Sequence, residues 1–490
     1  MRINRIQISN FKCFEQLNVE FHKDHNLHVI IAPNMIGKSA LIKALRIAAS
    51  TYLRKISPTR ANTISNSDHR VIGNNPFTDI TRECAIRTNA EVLNWDGKTW
   101  DFSDFEWVIY HENLTNTKYS SISVNDLNKA VVRTYDRVIE KKEETLPLLL
   151  YVGTEYIHQP RAQTDTLTQD GNALQGYWYC FEDKSMERYV FDWLRLMNDI
   201  FEEQEVKENA VSLYGELPGV FLNSFENTIR TIFPDEIIGV QFLKKRTIRK
   251  KKDSVDKDEN MLTFHFLNNE VRTYEMLSDG YRYLILLVGE MLTRCLLLNK
   301  HKGEQAVNET NGVVLIDEFG IHLHPELQMG ALKRLQDAFP QIQFILTTHS
   351  PLLLNGLKKE QVHILDIDSN NQRIIRHPEQ DIIGLGAEGI LKDAFGLVST
   401  LDDTSRQWAE HYKQLFLKKN KEGLDTDESD EFKNLERQLS EISLFPEIDN
   451  IEIQDPLYKR FKEYWEKSKQ STDQLTDNDI ENIIKEINKS

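Results

Sequence analysis

Four short segments, far apart in this 490-residue chain, carry the residue types that handle a nucleoside triphosphate. The first, Ala32 to Ser39, ends in Gly37-Lys38-Ser39. Lys38 has the reach for β and γ phosphates, and the Ser39 hydroxyl is a ligand for Mg²⁺. The positions Asn34, Ile36, Gly37, Lys38, Ser39 and Ala40 line a loop that opens into a helix, where backbone N–H groups bind phosphate oxygens. The second, Val313 to Glu318, is an apolar run closed by two carboxylates. Asp317 is placed to hold Mg²⁺ through water, and Glu318 to polarise the attacking water. The third, Leu346 to Ser350, presents His349, which can contact a γ phosphate and sense its loss. The fourth, Leu277 to Tyr281, offers the Ser278 hydroxyl and the Gly280 N–H at a helix start, a cap for the γ phosphate. ATP and Mg²⁺ are the expected cofactors, with Glu318, Lys38, His349 and Ser278 as catalytic residues.

Each motif depends on the element before it. Leu27 to Ile31 reads as a buried strand that delivers the chain to the loop, and Ser39 to Ser50 as a helix with an apolar stripe. A strand, loop and helix in that order are the context a phosphate loop needs, which weighs against a chance Gly-Lys-Ser turn. Four consecutive apolar residues, Val313 to Ile316, predict a central parallel strand, whose carboxyl end is where such sheets place ligands. A solvated acidic loop would not explain why two carboxylates end it. The loop departs from the usual pattern at Ala32 and at Met35, where glycine is common; a side chain at position 35 restricts the backbone, so either slow hydrolysis or ATP used more as a structural clamp is expected.

Around these motifs, Ile3, Ile6, Ile8, Leu17, Val19 and Phe21 predict paired strands. Residues 52–238 read as a mixed, mostly helical insertion, with short strand-like stretches around Trp95, Trp100 and Trp107 and a buried strand from Leu148 to Val152. Val240 to Leu267 reads as a hairpin whose bend carries Lys244, Lys245, Arg246, Arg249, Lys250, Lys251 and Lys252. That block is a candidate contact for nucleic acid or a partner; the competing reading is a solvated tip. Domain boundaries are expected at 1–387 and 388–490, the second helical and acidic, with 22 acidic against 14 basic residues over 401–490.

The net charge of −16 argues against a chain coated in nucleic acid but leaves room for a local basic track. Four cysteines without metal spacing fit a reducing cytosol, so a cytoplasmic location is expected. Tyr283 to Leu298 is very apolar, yet Glu290 and Arg294 make it a buried helix, and no membrane partner is expected. The histidines His22, His25 and His28 read as surface or turn residues, and His322, His324 and His349 show no recognised metal spacing.

The four segments, with the opening Met1 to Phe14 and its Asn-Phe-Lys turn, resemble the ABC-type ATPases of the RecF and overcoming-lysogenization-defect group. The likeness extends over about residues 1 to 370. Pro147 to Arg161 and Gly176-Tyr177 are similar to an insertion in the Septu-type defence ATPases, also found beside retrons. The resemblance implies an α/β fold: an ABC-type P-loop ATPase head with a mixed sheet and a helical insertion, plus a C-terminal helical domain. It implies a homodimer in which the cap of one subunit closes on the loop of the other, and a larger homo-oligomer. It also implies a separate HNH-type nuclease as effector against phage; the helical tail after about 388, which contributes nothing obvious to catalysis, is the expected docking surface. DNA or a retron reverse transcriptase–msDNA complex are further implied partners. Gln159 is the candidate glutamine-loop residue. The alternative within the same group is a RecF-like repair clamp that closes on DNA when ATP binds.

Overall fold

The computed structural model describes residues 1–33, 35–56, 61–75, 79–112, 118–119, 121–141, 144–154, 156, 173–183, 187–206, 216–247, 257–397, 401–421 and 423–441. Its contacts divide the chain into two units, Met1–Leu397 and Val398–Ser490.

The first unit holds three sheets. Strands β1 (Arg2–Phe11) and β2 (Phe14–Glu20) begin a five-stranded antiparallel sheet. It is completed by β4 (Glu83–Trp95), β5 (Trp100–Glu112) and β6 (Lys118–Tyr119), in the order β2-β1-β4-β5-β6. Ile3 and Ile6 share the buried face although they are an odd number of residues apart. The pairing with β4 shifts register between Ile3 and Arg5, and that bulge restores the alternation. Residues 52–238 contain the expected helices, and the strand-like stretches around Trp95, Trp100 and Trp107 belong to β4 and β5 of the N-terminal sheet. The alternation Cys84, Ile86, Thr88, Ala90, Val92, all buried, is the signal for β4.

The second sheet is the one that positions the motifs. It contains β3 (Leu27–Ile31), β7 (Leu148–Val152), β11 (Gly312–Ile316) and β12 (Ile342–Thr347), with β13 (Val362–Ile367) and β14 (Arg373–Arg376) at one edge. The order is β14-β13-β3-β12-β11-β7. Every pairing is parallel except that of the edge strand β14, so the sheet is mixed, as expected. All residues of β3, β7, β11 and β12 are buried, as in strands covered on both faces. Helix α1 (Lys38–Ser50) lies between the two sheets and buries Leu41, Ile42, Leu45 and Ile47, each worth about 1.5–3 kcal/mol. The Gln343 amide locks the sheets together, donating to the Ile3 carbonyl and accepting the Ile3 N–H, both at 2.8 Å.

Helices α2 (Ser121–Lys141), α3 (Glu187–Val206) and α4 (Leu217–Ile232) pack around this core. Helix α5 (Asp279–Leu298) is buried on almost every side. That explains its uniform apolarity; no described helix is long and apolar enough to cross a membrane. The third sheet, β10-β9-β8, is built on the hairpin of β8 (Ile237–Thr247) and β9 (Lys257–Phe266), with β10 (Val271–Thr273) beside it. Short helices α6 (Ala306–Glu309), α7 (Pro325–Gln328) and α8 (Ala331–Ala338) follow, and α9 (Ala387–Asp393) closes the first unit. The second unit is described as a helical hairpin, α10 (Asp403–Lys421) and α11 (Thr426–Glu441). Its own core stacks Tyr412 on Phe432 at 4.7 Å between ring centres.

One expectation is corrected. His28 is not a surface residue: it is fully buried on β3, 3.2 Å from the buried His363 of β13. The β3–β13 pairing, invisible in the sequence, puts them together. Burial, with Arg2 adding to it, lowers the His28 pKa to about 3. Burial, then His28 and His377, holds His363 well below its ordinary value. Both rings are neutral in the folded chain, whereas unfolded histidine protonates near pH ~6.5. Their contribution to stability is therefore complete above that pH and is lost as pH falls toward the folded values. The loss is up to about 1.4 kcal/mol per pH unit for each ring. Urea midpoints measured between about pH 7 and pH 5 should fall steeply. In His28→Leu the fall should be shallower; an unchanged slope would remove this pair from acid sensitivity.

Candidate nucleotide site

The three central strands β3, β12 and β11 are neighbours and parallel, so their carboxyl ends open on one edge. That edge receives the phosphate loop from β3, Asp317-Glu318 from β11 and Thr348-His349 from β12.

The loop turns through two left-handed residues, Met35 at φ 67° and Gly37 at φ 127°. Gly37 is required on two counts. Its φ disfavours any side chain, and a Cβ there would lie 2.5 Å from the Cys13 Sγ and 2.8 Å from the Phe14 ring. Met35 occupies a conformation that glycine adopts freely, with its side chain 96% exposed. The Lys38 ammonium donates to the Ala32 carbonyl at 2.8 Å, curling back over its own loop. Lys38 is largely buried; burial lowers its pKa, while Glu318 and Asp317 act in the opposite sense. Ser39 is exposed at the first turn of α1, with Ile36 and Ala40 half-buried on either side of it in the chain. Asn34 and Gln159 lie outside the described residues.

Asp317 is buried and Glu318 half-buried. The Thr347 hydroxyl donates to Asp317 Oδ1 at 2.6 Å and accepts the Glu318 N–H at 2.8 Å. One threonine on the neighbouring strand thus fixes both carboxylate residues. Glu318 itself sits at φ 56°, a strained region for a side-chain-bearing residue. His349 is exposed at the end of β12. Its pKa is lowered by burial first and by Lys38 next, against Glu318 and Asp317. The ring is therefore neutral near neutrality, able to donate from one nitrogen and accept at the other. The mutual electrostatics place Lys38, Asp317, Glu318 and His349 in one constellation.

Ser278 is the N-cap of α5; it is exposed and its side chain makes no capping hydrogen bond. Gly280 lets the helix start approach the segment after Glu318: a Cβ there would meet the His322 carbonyl at 2.9 Å. The segment is braced by Gln328, whose amide donates to the Gly320 and Leu323 carbonyls at 3.0 and 2.9 Å. Among the described residues no group of three His, Cys, Asp or Glu side chains could hold a metal ion on its own. Ser39 and Asp317, a hydroxyl and a carboxylate, are the oxygen ligands that would suit Mg²⁺, which takes such groups together with water and phosphate.

Sequence reasoning missed Thr347 and Gln328 as organising residues. The doubled threonine before His349 was the available signal for the first; Gln328 carried none. Of the basic block, Lys244, Lys245 and Arg246 belong to strand β8, but their side chains are outside what is described. Arg249, Lys250, Lys251 and Lys252 lie outside the described residues altogether.

Comparison with known proteins agrees with this geometry. The AAA ATPase domain family matches residues 1–354. The Septu protein PtuA of Bacillus mycoides (strain KBAB4) is 28% identical over 309 residues, covering 62% of this chain and 39% of that protein. The chain thus matches well under half the length of that relative. The Retron Vc95 probable ATPase of Vibrio cholerae serotype O1 biovar El Tor is 25% identical over 402 residues, 75% of this chain and 74% of its own. The Septu protein PtuA of Bacillus thuringiensis is 26% identical over 415 residues, 81% of this chain and 85% of its own. Among solved structures, the SMC head domain from Thermotoga maritima aligns with 77% of this chain and 100% of its own, at 13% identity and a TM-score of 0.39. The family match spans both the phosphate loop and the carboxylate pair, and on that ground the chain belongs to the AAA ATPase domain family, as an ATP-binding and ATP-hydrolysing P-loop protein.

Proposed function

We propose that this chain is the ATPase subunit of an anti-phage defence complex, and that two copies close on shared ATP to control a separate nuclease. The observation that carries the reading is the asymmetry of the motifs within one chain. Lys38, Asp317, Glu318 and His349 interact electrostatically with one another, while Ser278 stands exposed at the head of α5. A γ phosphate needs its charge neutralised from several sides, and the exposed cap of a second copy supplies the missing side. In this reading Lys38 and the loop amides bind the phosphates, Ser39 and Asp317 hold Mg²⁺, Glu318 polarises water and His349 senses the γ phosphate. The defence role is supported by similarity to Septu PtuA proteins and retron ATPases. The expected effector is an HNH-type nuclease docked on the C-terminal helical unit, in an assembly larger than the dimer. The basic block at 244–252 is a proposed contact for nucleic acid or for such a partner.

The test mixes two inactive chains. Lys38→Ala removes phosphate binding and Ser278→Arg blocks the cap. If the cap works across the dimer, a mixed dimer retains one intact site. ATP hydrolysis should then recover on mixing, measured as phosphate release. Two dead chains that stay dead together would assign cap and loop to the same chain and overturn the dimer reading.

A further inference from the structure

The phosphate loop is gripped from outside by a residue far along the sequence. The Nε–H of Arg373, on β14, donates to the Ile36 carbonyl at 2.9 Å. The Cys13 thiol reaches the same oxygen at 3.4 Å. Ile36 lies between the two left-handed residues of the loop, Met35 and Gly37. The contact does not arise from an ion pair. Among the described residues no carboxylate lies within 4.0 Å of the Arg373 guanidinium, whereas Arg376, on the same strand, pairs with Asp366 at 2.8 Å.

A peptide unit is planar and trans, so its C=O and the following N–H point in opposite directions. Fixing the Ile36 carbonyl outward therefore aims the Gly37 N–H the other way, toward the inside of the loop. The same grip opposes the relaxation of Met35. Left-handed backbone is disfavoured for a residue with a Cβ, and a methionine released there would swing to negative φ and take Ile36 with it.

We propose that Arg373 is a positioning residue for nucleotide binding: it clamps the phosphate loop through Ile36 and so compensates for the methionine at position 35. The proposal rests on the reading that this loop binds ATP. It predicts that the arginine matters for its directed Nε–H and not for its charge, and that its importance depends on Met35.

The experiment is calorimetric titration of the full chain with MgATP. Arg373→Ala should raise the Kd about tenfold, the effect of one charge-assisted hydrogen bond. Arg373→Lys keeps the charge but loses the fixed planar donor, and should bind almost as weakly as the alanine variant. In a Met35→Gly background, where positive φ is free, Arg373→Ala should cost about threefold or less. Circular dichroism melting checks that each variant folds. Full rescue by lysine would make the residue a distant charge and overturn the clamp. So would an equal loss with and without the Met35→Gly change, or no loss at all. These failures differ from failure of the underlying reading, which would show as unmodified protein binding MgATP no better than Lys38→Ala.

Discussion

Glu318→Gln should reduce ATP hydrolysis by at least about 10²-fold while leaving MgATP binding in place. The amide keeps the shape of the side chain and loses only its ability to polarise water. The backbone at position 318 is held independently of that carboxylate, because its N–H is fixed by Thr347 and its φ of 56° is imposed by the turn after β11. Binding and chemistry should therefore separate cleanly. With hydrolysis blocked, nucleotide that links two copies is not removed, so the variant should accumulate as a dimer or larger species in ATP. Phosphate release and light scattering with ATP or ADP read the two effects. A variant that hydrolyses at the normal rate would relieve Glu318 of its role. One that is slow but unchanged in assembly would keep the chemistry and reject ATP as the link between copies.

The second large effect concerns folding. Arg294→Ala should destabilise the first unit by about 3–5 kcal/mol, because it strands a buried carboxylate. Arg294 and Glu290, both 3% exposed, pair at 2.6 Å one turn apart on α5. Arg294 also donates to the Gly176 carbonyl at 2.8 Å and the Trp178 carbonyl at 2.9 Å. The hydroxyl of Tyr156 donates to the other Glu290 oxygen. The network ties α5, whose first residue follows Ser278, to Tyr156, just after β7, and to Gly176 and Trp178 further along the chain. Removing both charges together, as Glu290→Leu with Arg294→Met, should cost clearly less than Arg294→Ala alone. Urea unfolding of the two variants makes the comparison. An Arg294→Ala protein as stable as the double variant would show that the charge is not stranded. The same network explains how two charged residues occur in so apolar a helix without placing it in a membrane.

Several elements are legible in the residues alone. Buried strands at Leu27–Ile31, Leu148–Val152 and Gly312–Ile316 are apolar runs, interrupted in the first only by His28, and such runs are readable because both faces are covered. The helix after Lys38 and the hairpin of β8 and β9 are readable for similar local reasons. The long strands β4 and β5 are only partly legible, since polar residues such as Thr88 and Asn89 interrupt their apolar pattern. His28 is misread because a lone polar residue inside an apolar strand gives no sign of its partner. That partner, His363, stands more than three hundred residues away in sequence.

The chemistry on offer is written along the chain: a lysine and serine on a phosphate loop, two carboxylates at a strand end, a histidine at another and a serine at a helix start. These are local facts, carried by residues that neighbour one another in sequence. Which of them meet was left to the packing of the folded chain. Strand order placed β3, β12 and β11 side by side, so Lys38, Asp317, Glu318 and His349 share an edge, while Ser278 is exposed at the start of α5. It also brought in Thr347 to fix the carboxylates and Arg373 to hold the loop. The physical reason is that hydrogen bonds and charge interactions act over a few ångströms of space. The order in which strands pair is set by the packing of the whole core, and no short segment carries it.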